Sequence, residues 1–343
     1  MKTLSVWVAA ALLAAGCSQS KAPSTPVAAW LDAAVALPTL FPKRTGKVTK
    51  YVMVLSELGP LVAIRSFEQG GKPWLLAVNP STLATSVVPG PAAPSTTWLA
   101  LEAKYPKSPW LRARLDADQH AANLQDAGLT HLLPNEAGVV LTVDLCPSTR
   151  KFDLRLIQRL LAVLEPKEKP IPIAFALSGV WSQEHPDELQ KLMAMDGTDL
   201  TITWMNHSMH HRYSPSAPLV KNFMLEPGTN VAQEVIDTEV LMLESGLTPS
   251  VFFRFPGLVS EPTLITFVTE LGLIPVGSDA WLAKGEHAKS GSIVLVHGNG
   301  NEPRGVDDFL ALLDSEKKAI STRQFLLLDL REGLVDEEAG GDH

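Results

Sequence analysis

The chain has 343 residues, a net charge of -8, 19% charged side chains and 45% hydrophobic ones. That length exceeds an ordinary domain of roughly 100 to 200 residues, so one large barrel or two modest domains is expected. Acid and base are mixed along the sequence, which leaves no electrostatic footprint for nucleic acid or an anionic bilayer and argues against a polyanion partner.

The first residues are compositionally distinct. Lys2 supplies a positive start, Leu4 to Leu13 an apolar run, and Ala14-Ala-Gly-Cys17 a small-residue cleavage site. A run of about 10 apolar residues is too short to span a bilayer, so residues 1–17 read as a signal peptide. Cysteine at the cut resembles the bacterial lipoprotein signal, in which that thiol is acylated and becomes the new N-terminus. A plain cleaved signal with an incidental Cys17 is the alternative. Ser18, in place of Asp, resembles the pattern sorted to the outer membrane. The expectation is therefore a bacterial cell-envelope protein, lipid-anchored at Cys17 and facing the periplasm from the outer membrane. Cys146 is then the one other cysteine, so no intramolecular disulfide can form.

Residues 18–36, which begin small and polar with Pro23 and Pro26, read as a flexible tether. Residues 37–135 read as a small α+β domain. Apolar runs at Lys50 to Leu55, Leu61 to Phe67 and Trp74 to Val78, broken at Gly59-Pro60 and Gly70-Gly71, predict a three-stranded meander. The stretch Val88 to Thr96 breaks regularity, and helical periodicity returns over Trp98 to Tyr105 and Trp110 to Ala122. Trp74, Trp98 and Trp110 are read as core, with sugar stacking as the alternative.

Residues 136–331 change to strict alternation of strand and helix. Strands are expected to end at Asp144 and to span Ile171 to Leu177, Leu200 to Trp204, Val251 to Phe253, Leu273 to Val276, Ser292 to Val296 and Gln324 to Leu328. Helices are expected from Asp153 to Leu164, Pro186 to Met195, Asn230 to Ser245, Ser260 to Leu271 and Val306 to Ser315. Strands separated by helices imply a parallel sheet, and a distorted (β/α)7 barrel is the simplest closure. The end of the chain, 332–343, reads as an acidic disordered tail.

Five reactive motifs follow apolar runs, which places them at strand C-termini, where barrels keep their active sites. His207 and His211 converge on one metal if the segment between them turns helically, since residues four apart then share a face. Three protein ligands and an open position for water make a hydrolytic zinc site. Asp144 can take a proton from an activated water, Arg254 in Phe253-Arg-Phe-Pro256 can hold a carboxylate, and His297 can protonate a departing amine. Asp279 can orient that imidazole. Structural roles as cap, ion-pair partner and core hydrogen bonder are the alternative for each, but five at one barrel end point to hydrolysis of an amide or ester.

These motifs together resemble the polysaccharide deacetylases, carbohydrate esterase family 4 or NodB-homology domains, over roughly Glu136 to Leu330. Thr142-Val-Asp-Leu-Cys146 is similar to the family's Thr-Phe-Asp-Asp-Gly block, His207 to His211 to its His-Ser/Thr-x-x-His block, and Arg254 to Pro256 to its Arg-x-Pro block. Ser278-Asp-Ala-Trp281 and Leu295 to His297 resemble the remaining two. The resemblance implies removal of N- or O-acetyl groups from a glycan such as peptidoglycan or exopolysaccharide, with a divalent metal, zinc foremost. Asp144 would be the base, Arg254 its holder, His297 the acid, Asp279 its tuner, and His207 and His211 ligands. Trp281 would form part of the acetyl-group wall, with Pro256 also contacting substrate. The family's second aspartate, a metal ligand, aligns with Leu145. Asp144, Cys146 or water is left to complete the coordination, and a non-catalytic glycan-binding descendant is the alternative to an enzyme.

Overall fold

The computed structural model describes residues 44–119, 121, 123–164 and 168–340, without the side chains of 337–340. The signal peptide, Cys17 and the tether lie outside the described residues. Among the described residues no helix is long and apolar enough to cross a membrane.

The chain begins with an antiparallel sheet in sequence order: β1 (Val48–Leu58), β2 (Leu61–Gln69), β3 (Lys72–Val78) and β4 (Thr85–Pro89). Gly59 at φ 66° makes the first tight turn, and Gly70 and Gly71 at φ 61° and 72° make the second, conformations glycine adopts at little cost. The fourth strand was not expected from its proline. As an edge strand β4 tolerates Pro89, because a missing N–H costs nothing on an unpaired side. Helices α1 (Trp98–Lys104) and α2 (Pro109–Gln119) follow. The Trp110 indole is fully buried and donates to Gly272 O at 2.9 Å, and Trp74 donates to Gln69 O at 3.1 Å. Trp98 packs edge-on against Trp110, so all three tryptophans serve the core.

The second sheet is parallel. Its strands are β5 (Gly138–Leu145), β6 (Ile171–Leu177), β7 (Leu200–Asn206), β8 (Phe252–Phe253), β9 (Ile274–Pro275), β10 (Ala280–Trp281), β11 (Ile293–His297) and β12 (Leu326–Leu327). They run in the order β10-β11-β5-β6-β7-β8-β9, with β12 paired to the start of β5. Helices flank them: α3 (Leu154–Leu164), α4 (Gly179–Glu184), α5 (Pro186–Met195), α6 (Val231–Glu244), α7 (Pro262–Glu270), α8 (Pro303–Ser315) and α9 (Lys317–Ser321). The result is a curled half-barrel in the (β/α)7 manner, with the antiparallel sheet beside it. The two-residue strand β10 adds an eighth strand to the seven read from the sequence. Residues 125–132 run across the opening between the outer strands: Leu129 bridges to Val276 and His131 to Ser292.

Alternation along β5 sorts the two faces. Val139, Leu141, Val143 and Leu145 join the apolar layer beneath the helices, while Val140 faces inward with Ala174, Met205 and Ile293. The inward cluster continues into Ile64, Leu76 and Trp110, so the antiparallel sheet and α2 cover the end of the barrel where its strands begin. The opposite end stays open. Residues 332–340, expected as a disordered tail, belong instead to a helix, α10 (Leu330–Gly340). Leu330 and Leu334, four apart and both buried, give it the apolar anchor that its acidic composition obscured.

Candidate metal centre

Parallel register brings the reactive residues to one level at the open end. His297 is the partner of Asp144 across β11 and β5, and Asn206 is the partner of Phe253 across β7 and β8, so His207 and Arg254 leave the sheet side by side.

Arg254 is fully buried. Its Nη1 donates to Asp144 Oδ1 at 2.8 Å and to Thr142 Oγ1 at 2.7 Å, its Nη2 to Gly277 O at 2.8 Å and its Nε to Val276 O at 3.2 Å. Burial alone would push the Asp144 carboxyl up; Arg254, then His207 and His297, outweigh it and hold the group below its ordinary value. Asp144 therefore stays ionised and fixed in the groove.

His207 also has no exposure. Its Nδ1 lies 2.9 Å from Arg254 O, which makes that nitrogen the donor and turns Nε2 towards Cys146 and Asp144. Nε2 lies 3.5 Å from Cys146 Sγ and 3.6 Å from Asp144 Oδ2. The His211 ring stands edge-on to His207 with centroids 4.7 Å apart. The turn that joins the two histidines is not helical, contrary to the expectation. Ser208 at φ 66° and His211 at φ 46° are both left-handed, a costly backbone for non-glycine residues. Side chains compensate: Ser208 N donates to Asn206 Oδ1 at 3.0 Å, and His211 N to Ser208 Oγ at 3.1 Å. Glu234 of α6 accepts from His210 N at 2.8 Å and lies 2.9 Å from His210 Nδ1. Gly179 opens α4 directly against this turn, where a Cβ would stand 2.1 Å from Met209 Sδ.

Donor atoms of Cys146, His207 and His211 lie within 4.8 Å of one another, and those of Asp144, Cys146 and His297 do the same. Burial would raise the Cys146 thiol, but His211, His297 and His207 outweigh it and hold the thiol well below its ordinary value. A cysteine sulfur whose pKa is held down, beside two imidazoles, one oriented by a backbone carbonyl, is a donor set that fits a borderline-soft divalent ion. Leu145 is fully buried in the helix-facing layer and stands away from this set.

His297 does not meet Asp279. Asp279 Oδ2 lies 2.8 Å from His131 Nδ1, and its Oδ1 accepts from Ile293 N at 3.1 Å. The expected tuner is engaged in the barrel seam. Glu302 stands at His297 instead, with Oε2 2.9 Å from His297 Nδ1, an ion pair whose angles fall short of a hydrogen bond, and 2.7 Å from the Trp281 indole Nε1. Burial would lower the His297 imidazole, but Cys146, Glu302 and Asp144 outweigh it and hold it well above its ordinary value.

Asp144, Cys146, His211, His297 and Glu302 line an open groove of about 780 Å³. Trp281, with Lys284 Nζ 3.4 Å above its ring, walls one side. Tyr213 and Phe223, stacked at 5.3 Å, wall another. Pro256 is buried and does not line the groove, where Gly257 and Leu258 do. Glu302, Glu234 and Thr142 were missed from the sequence. Only Glu302 carried a local signal, as an acid before Pro303 at a helix start.

No protein-family model matches the chain. Among solved structures it is similar to a peptidoglycan N-acetylglucosamine deacetylase, at 17% identity over 64% of this chain and 94% of that one, TM-score 0.45. It is similar to a family 4 carbohydrate esterase from Bacillus anthracis, at 17% identity over 63% and 88%, TM-score 0.43. It is similar also to a family 4 pseudoenzyme from Bacillus anthracis, at 15% identity over 60% and 67%, TM-score 0.42.

Proposed function

We propose that this protein is a metal-dependent deacetylase of an envelope or extracellular glycan, of the carbohydrate esterase family 4 kind. One observation carries the reading: a Cys-His-His donor set, an arginine-locked carboxylate and a carboxylate-backed histidine meet at the open end of one barrel. Cys146, His207 and His211 would hold the ion, with zinc favoured by thiolate and imidazole donors. When bound, the ion supplies Lewis acidity to a carbonyl and lowers the pKa of water to about 7.

The residues of the chain do the rest. Asp144 accepts the proton as a water oxygen bonds to the acetyl carbon, and Arg254 keeps the carboxylate aimed. His297 gives its proton to the departing sugar nitrogen or oxygen as the C–N or C–O bond breaks with its electron pair, leaving acetate and a free amine or hydroxyl. Trp281 supplies a wall for the acetyl group.

Acetate release from N-acetylglucosamine oligomers, acetylated polysaccharide and peptidoglycan, with zinc or cobalt added, tests the reading. Asp144→Asn is expected to lower turnover about 10²- to 10⁴-fold. No release from any substrate, with wild type equal to Asp144→Ala, excludes it; glycan binding that survives chelation would then favour a non-catalytic descendant. We propose further that lipid on Cys17 holds the protein at the bacterial envelope, on the outer membrane facing the periplasm. Metabolic labelling with a fatty-acid analogue should mark the wild type and not Cys17→Ala.

A further inference from the structure

We infer that Glu302, and not Asp279, is the positioning residue that aims His297 as proton donor, an inference that rests on the deacetylase reading above. Strand register excludes Asp279. Ala280 and Trp281 pair with Val294 and Leu295, and Asp279 accepts from the N–H of Ile293, four residues before His297 on the same strand. At roughly 3.3 Å per residue, Ile293 lies about 13 Å back along the strand from His297. Its other oxygen is held by His131 at 2.8 Å, from the segment that crosses the barrel seam.

Glu302 is placed for the task by the start of α8. It occupies the N-cap position and makes no capping bond with its side chain, which leaves the carboxylate available for other partners. Its carboxylate turns inward, between His297 Nδ1 at 2.9 Å and the Trp281 indole at 2.7 Å. The indole fixes the carboxylate, and the carboxylate faces Nδ1, so Nε2, on an imidazole that also bonds Cys146, is the ring nitrogen left to deliver a proton. The angle at Nδ1 falls short of a hydrogen bond, as catalytic contacts often do without substrate. One loop side chain thereby joins the acetyl wall to the acid.

A donor of protons matters only when the leaving group is poor. The test therefore compares an acetylated amino-sugar oligomer, whose amine needs a proton to leave, with 4-nitrophenyl acetate, whose phenolate does not. Glu302→Gln is expected to lower kcat on the oligomer about 10- to 100-fold relative to the aryl ester, with the smaller change in KM, and Glu302→Asp to recover part of it. Asp279→Asn is expected to leave the ratio of the two rates where it was. Equal loss on both substrates in Glu302→Gln, or the selective loss in Asp279→Asn instead, overturns the inference while the deacetylase reading stands. A wild type that turns over neither substrate overturns both.

Discussion

Leu145 ends β5 and Cys146 follows it, and the two side chains point to opposite sides of the sheet. Leu145 packs under the helices with Leu156, Leu160 and Phe175, and Cys146 lies within reach of both histidines. An aspartate placed at 145 would therefore not supply a ligand. Leu145→Asp places a carboxylate in an apolar layer without partners, and we expect a loss of about 3 kcal/mol or more in a urea unfolding curve with no gain in metal binding. A gain would show that residue 145 reaches the site after all. At this scale the sequence disclosed the residue types and their strand-end positions, because reactive side chains stood out against apolar runs. It did not disclose pairings. Asp279 looked like the partner of His297 because both followed strands, and only the register of β10 on β11 shows that Asp279 stops well short of His297.

Elements were legible where apolar pattern was long. β5, β6 and β7 and the helices α3, α5 and α6 fall within a few residues of expectation, since each carries a full face of buried side chains. β4 and β10 were not legible: the first is an edge strand containing proline, and the second has two residues. The histidine turn also escaped, because its shape depends on Asn206 and Ser208 bonding to nearby backbone and on Glu234, which arrives from α6. The acidic C-terminal helix α10 offers a test at this scale. Glu168 lies in a pocket with Glu136 and Glu332; burial first, and those carboxylates second, push its pKa up to about 7, against the Leu327 N–H and Arg323. A carboxyl raised from an ordinary value of 4.5 favours the folded chain in full below that value, and the contribution is lost as pH rises through about 7. The melting temperature should thus fall between pH 5 and pH 8, and Glu168→Gln should flatten that fall. An identical slope in the variant would contradict the assignment.

As a whole, the molecule is one apolar body with its chemistry at the uncovered end. The antiparallel sheet is locked to the barrel by a buried pair: Arg65 Nε and Nη2 lie 2.8 and 3.0 Å from the Glu239 carboxylate, Nη1 donates to Leu271 O at 2.7 Å, and the Tyr51 hydroxyl donates to the same carboxylate at 2.6 Å. Arg65→Ala leaves Glu239 charged and unpaired, and a loss of about 3–5 kcal/mol is expected by denaturant unfolding. Because cover and barrel share a core, sheet and barrel should melt in one calorimetric transition, and two separated transitions would show independent domains. The reading of one barrel with a smaller unit came from the switch of pattern after Glu136. That the smaller unit closes the barrel's base came only from the packing of Ile64, Leu76 and Trp110 on its inward face.

In the proposed metal site, Cys146 would complete the coordination by His207 and His211. Titrating the metal-free full chain with cobalt(II) and recording its absorption spectrum tests this directly. One equivalent bound with a thiolate-to-cobalt charge-transfer band in the near ultraviolet is expected, with Cys146→Ser losing the band and more than about 100-fold in affinity. Cobalt binding of equal strength in wild type and Cys146→Ser, with no such band in either, would contradict it.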